Sequence, residues 1–215
     1  MLIFNNDTPT EEEEEEVSDH QAAMVMAALA GEEGPEPNTL GLVGDLNEES
    51  AQEIYLGLVQ LNGGKIFPNP LEEGEGDIED VHFIISTGGG TVYDMFGVVD
   101  MMGIVKQRRD ISTLGAGKVF SAGVPLLASG TKGKRFLTRN TRVMMHRCSA
   151  GNMGSTADLK VTHDEMREME DQMVQLIAEN SKLSVGEIHN MFSKNTDEYF
   201  SAQEAIEMGL ADEII

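Results

Sequence analysis

From residue 38 onward the chain alternates short apolar runs with stretches of helical period, and this alternation constrains its fold more than any other feature. NTLGLVGDLN at 38–47 reads as a short strand, and Asn47 can cap the helix after it. In that helix Ala51, Ile54, Tyr55, Leu58 and Leu61 recur at helical spacing. A second apolar strand, VHFIIS, leads through TGGG into an apolar helix from about Thr91 to Lys106, and ISTLGAGKV is a third strand. FSAGVPLLASG reads as a short buried helix beginning at or near Ser121, and KRFLTRNTRVMMH as a strand pair turning at Arg139-Asn140. Residues 148–155 form an extended segment of small residues. The spacing of Met166, Met169, Met173, Leu176 and Ile177 predicts a long helix from about Thr156 to Asn180. Two shorter helices and a terminal strand, ADEII, follow. Apolar strands alternating with helices imply an α/β fold, with a parallel sheet covered by helices.

The ends and loops differ in composition. Residues 1–18 open on Met1-Leu2-Ile3-Phe4 and run into the tract Glu11–Glu16, whose like charges repel and bury nothing; an acidic, disordered arm is expected. Residues 19–30 are rich in helix formers, 31–37 form a break, and 62–80 are loop-like. Residues 19–215 are therefore expected to be a single domain.

Lys and Arg number 15 against 38 Asp and Glu, a net charge of −23. Nucleic acid and an anionic membrane both need a basic face, so neither is expected as the main partner. The apolar run at Ala22–Ala30 is shorter than the roughly 20 residues of a membrane span, and acids rather than basic residues precede it. A cytoplasmic location is expected. The single cysteine, Cys148, permits no disulfide within the chain and reads as a small, half-buried residue.

Three segments could carry chemistry. Residues 86–92 (STGGGTV) join a strand to a helix, and outward-pointing amides there could cradle a phosphate, form an oxyanion hole, or only make a tight turn. A Walker motif is absent: Val119 follows Gly117-Lys118, and Arg135 follows Gly133-Lys134. Ser121, between strand and helix, is either an N-cap or a nucleophile with the Ala122 amide beside it. Of the five histidines, only His146 ends a strand beside a glycine-containing segment, where it is structural or a general base. No metal-ligand spacing occurs, and no metal or other cofactor is expected.

The ordered series STGGG, FSAGVPLLASGTKGKRF, RVMMH and DEYFSAQEAIEMGLADEII resembles the ClpP family, the proteolytic subunits of the Clp proteases, over about residues 38–215. The resemblance implies a ClpP/crotonase-like fold of stacked ββα units with a protruding handle at about 148–180. It implies Ser121 as nucleophile, His146 as general base and Asp197 as the residue orienting the histidine. The oxyanion hole falls on the amides of Gly90 and Ala122, with Gly89 in the same glycine pair. Ala150, Gly151, Asn152 and Met153 fall where the family lays a substrate strand. The family assembles as heptameric rings stacked in a double ring, and an ATP-driven (AAA+) unfoldase feeds it unfolded polypeptides. The resemblance therefore implies an ATP-dependent serine endopeptidase.

Several positions depart from the family pattern. Arg147-Cys148 follow His146 where the family has proline at the second position, and Gly88 replaces a proline in the glycine motif. Thr196 replaces the arginine that commonly precedes the aspartate and couples assembly to activity. Residues 62–80 are longer than the family's loop, and the acidic arm does not match its axial loops. Three rival readings follow: an inactive or regulatory ring subunit, a dedicated processing protease without an unfoldase, and an acyl-CoA enzyme of the crotonase fold.

Overall fold

A computed structural model describes residues 38–67, 79–149, 151, 153–194 and 196–215. The acidic arm, the 19–30 helix, most of the 62–80 loop, Ala150 and Asn152 lie outside the described residues.

The expected alternation is present. Strand β1 (Thr39–Val43) leads to helix α1 (Glu48–Leu61), β2 (Val81–Thr87) to α2 (Val92–Val105), and β3 (Ile111–Phe120) to the short α3 (Gly123–Ala128). Strands β4 (Arg135–Leu137) and β5 (Arg142–Met145) precede the long α4 (Thr156–Asn180). Helix α5 (Val185–Ser193), strand β6 (Glu198–Ser201), helix α6 (Ala202–Glu207) and strand β7 (Glu213–Ile214) complete the order.

Caps set several helix starts. Asn47 accepts from the amides of Glu49 and Ser50, while Ser50 Oγ accepts from the Asn47 amide. Ser155, Ser184 and Ser201 open α4, α5 and α6 with the same reciprocal box, closed by Asp158, Glu187 and Glu204. These bonds satisfy amides that the first turn of a helix leaves without partners.

The strands form one sheet in the order β1-β2-β3-β4-β7, parallel throughout this path. Strand β3 is long enough to serve two neighbours on one side. Thr113–Gly115 pair with β4, and Lys118–Phe120 pair with β5, both in parallel. Strands β4 and β5 are therefore not the hairpin that the sequence implies, because each pairs with β3 instead of with the other. Strand β6, absent from the sequence reading, runs antiparallel to β5. Phe83, Ile85, Ile111, Leu126, Leu127 and Leu137 are fully buried in the core between sheet and helices.

Only the second half of α4 joins that core, through Met173, Val174 and Ile177. Its first half is exposed on nearly every side, with Met166 and Met169 half-buried. The half expected to protrude as a handle thus lies outside that core, and the methionine stripe is a packing face only toward its C-terminal end.

Candidate active site

Strand register brings the three expected residues together. Strand β3 pairs Phe120 with Met144, and the Ser121 amide, one residue further on, donates to the Met144 carbonyl at 2.9 Å. Strand β6 pairs Glu198 with Met145, so one more step along the antiparallel register sets Asp197 opposite His146. His146 Nε2 lies 2.8 Å from Ser121 Oγ, and His146 Nδ1 lies 3.6 Å from Asp197 Oδ1. The first distance is a hydrogen bond; the second is just beyond hydrogen-bonding reach. The histidine side chain is one-third exposed and that of the aspartate about half.

Ser121 is not the N-cap of α3. The helix starts at Gly123 and its N-cap, Ala122, makes no side-chain capping bond. Ser121 instead has φ +53°, the only positive φ of a non-glycine residue among the described residues. This left-handed backbone lifts the side chain out of the strand-to-helix path and toward His146. A non-glycine residue holds such a conformation at a cost of about 1–3 kcal/mol, and does so only where surrounding structure enforces it.

The glycine turn closes on the serine from the other side. Gly89 has φ +100°, and a Cβ there would lie 2.6 Å from Ser121 Cβ and 3.0 Å from its Oγ. A Cβ on Gly90 would lie 1.8 Å from the Leu46 carbonyl oxygen. Glycine is required at both positions. The Gly89 amide is already engaged, donating to Thr87 Oγ1 at 2.9 Å. The amides of Gly90 and Ala122 have no hydrogen-bond acceptor among the described residues. Both residues line the same cleft as Ser121. Gly88 has no positive φ, so its backbone does not demand glycine.

The cleft has a volume of about 230 Å³. Beyond Ser121, His146, Gly90 and Ala122 it is walled by Val92, Cys148 and Met173, with Arg147 among its lining residues. Met173 comes from the packed half of α4, so the handle supplies one wall. Arg147 Nε reaches Glu170 Oε2 on α4 at 3.4 Å. Burial pushes the Cys148 thiol above its ordinary pKa, and Glu170 adds to the shift. A thiol held protonated is a packing group rather than a nucleophile. Sequence reasoning missed Val92 and Met173 as cleft residues. Their helical spacing reads only as core, and nothing in the period distinguishes a cleft wall from a core face.

Of the expected substrate-strand residues, Gly151 and Met153 are exposed and lie in no strand. No cluster of three or more His, Cys, Asp or Glu able to hold a metal occurs among the described residues. Among these residues no helix is long and apolar enough to cross a membrane.

A family model described as Clp protease matches residues 42–215. Over 137 residues the chain is 34% identical to the "ATP-dependent Clp protease proteolytic subunit 2" of Bifidobacterium longum. That match covers 64% of this chain and 64% of the relative, so it spans slightly under two thirds of the relative's length.

Proposed function

Because the chain belongs to the Clp protease family, we propose that it is a serine endopeptidase in which Ser121, His146 and Asp197 form the catalytic triad. The observation that carries this reading is the 2.8 Å contact between Ser121 Oγ and His146 Nε2, beside two amides without an acceptor among the described residues.

A serine hydroxyl attacks an amide poorly at neutral pH unless a base takes its proton. His146 Nε2 is placed to do so as Oγ bonds to the carbonyl carbon of the scissile peptide. The carbonyl oxygen, now negative, turns toward the amides of Gly90 and Ala122. Each such donor contributes about 10²–10³ in rate where measured. The imidazolium then returns its proton to the leaving nitrogen, and the C–N bond breaks. Water, deprotonated by His146 in the same way, hydrolyses the acyl-serine. Asp197 keeps Nδ1 protonated and stabilises the imidazolium. The 3.6 Å separation leaves this contact to tighten when substrate binds, as catalytic contacts commonly do.

We further propose polypeptides in extended form as substrates, ring assembly of the chain, and delivery by an ATP-driven unfoldase. These follow from family membership and from the protruding half of α4.

Cleavage of a short fluorogenic peptide and covalent labelling of Ser121 by a fluorophosphonate, read by mass spectrometry, test the chemistry. Wild type is expected to cleave and label, and Ser121→Ala to do neither. Equal rates for the two proteins would sink the assignment of Ser121, and inactivity of both would favour a ring subunit that has the fold without the chemistry.

A further inference from the structure

Asp197 lies just before β6, and its carboxylate is held loosely by the histidine it is meant to orient. What else faces it is therefore informative. Tyr199, two residues on and so on the same side of the extended chain, directs its hydroxyl at Asp197 Oδ2 at 3.4 Å. The two carboxylate oxygens are thus divided: Oδ1 faces His146 Nδ1 and Oδ2 faces the phenol.

The ring that carries this hydroxyl is itself seated. Register places Phe120, Met144 and Tyr199 in line across β3, β5 and β6. The rings of Phe120 and Tyr199 meet edge to face, with centroids 5.6 Å apart and planes at 88°. Phe120 directly precedes the nucleophile. One aromatic contact therefore connects the strand that delivers Ser121 to the strand end that delivers Asp197. The nearby cation Lys194 is engaged by Glu198 at 2.7 Å.

We infer that Tyr199 is a positioning residue of the triad: its hydroxyl fixes the Asp197 carboxylate so that Oδ1 stays turned toward His146, and its ring on Phe120 fixes the hydroxyl. This rests on the proposed peptidase chemistry. A rigid ring suits the task because the hydroxyl follows from two side-chain torsions, both limited by the Phe120 contact. The bond is long and half-exposed, so the effect of losing it is modest, and it acts on the chemical step rather than on peptide binding.

The test is a double-mutant cycle of Tyr199→Phe and Asp197→Asn in the full chain, read by kcat and KM on a fluorogenic peptide, by the rate of Ser121 labelling, and by Tm. Tyr199→Phe keeps the ring contact and removes only the oxygen. It is expected to lower kcat and the labelling rate about three- to tenfold with KM and Tm unchanged. Added to Asp197→Asn it should change nothing further, because the carboxylate through which it acts is gone. Tyr199→Leu, which loses ring and hydroxyl together, should lower Tm as well. Wild-type kcat in Tyr199→Phe overturns the inference, and so does the same fold-loss repeated in the Asp197→Asn background. A wild-type chain that neither cleaves nor labels overturns the peptidase reading and this inference with it, whereas an active wild type matched by Tyr199→Phe overturns this inference alone.

Discussion

Gly89 meets two demands at once: a backbone at φ +100° and a side-chain space already filled by Ser121. Gly89→Ala must relax one of them. Strain of this kind costs about 1–3 kcal/mol, and relief by moving the turn displaces the Gly90 amide beside it. The variant is expected to stay folded with a lowered Tm and to lose about 10²-fold in kcat/KM, measured by peptide cleavage and thermal unfolding. An alanine variant with wild-type kinetics would show that the turn does not shape the oxyanion site. At this scale Ser121 and His146 are legible because they sit within short, dense motifs. The left-handed backbone of Ser121 is not, since a serine before a helix reads equally well as a cap. Tyr199 carries no local signal at all. Its meaning comes from the register between β5 and β6, which no run of adjacent residues reveals.

Between elements, Arg135 on β4 fastens several parts of the fold together. Its side chain is almost wholly buried, and Nε and Nη2 clamp the two oxygens of Asp212 while Nη1 donates to the carbonyls of Ala128 and Asn180. Those carbonyls are the last of α3 and α4, which lack helical partners. Arg135→Ala leaves them and Asp212 without the guanidinium, and a loss of about 3–5 kcal/mol is expected from denaturant titration. The same pair makes stability depend on pH. Burial pushes the Asp212 pKa up, but hydrogen bonds and charge from Arg135 outweigh it and hold the carboxyl below its ordinary 3.8. A carboxyl depressed in the folded state stabilises fully above its unfolded pKa and ceases to do so as pH falls through the folded one. The stability gap between wild type and Asp212→Asn should therefore be wide at pH 7 and close as pH drops below about 3.8. Most elements are legible from period and capping residues. The error over β4 and β5 has a simple cause: adjacent strands suggest a hairpin, whereas here β3 is long enough to take both. Strand β6 spans only four residues, too few for alternation to show.

At the scale of the whole molecule, a net charge of −23 sets copies of the chain against one another. Ring assembly as proposed must overcome that repulsion through apolar contact, and salt should favour it by screening. Native mass measurement is expected to give a multiple of seven protomers, more completely at higher ionic strength. A monomer at micromolar concentration under all conditions would remove the proposal. Assembly is the property least legible in a single chain, because it depends on surfaces that become meaningful only when a second copy is present. The handle bears on it directly. Its inner half is anchored by Met173, Val174 and Ile177, whereas its outer half is held to the body by the Tyr93 hydroxyl on Glu165 at 2.9 Å and carries Leu159 and Val161 exposed. One continuous helix is thus a beam packed into the core at its inner end and held by side-chain contact further out. Amide hydrogen exchange along it should be slow near Val174 and quicken toward Thr156 in a lone chain, and a neighbour lying on the outer half would flatten that gradient, so that the helix itself registers whether the chain has company.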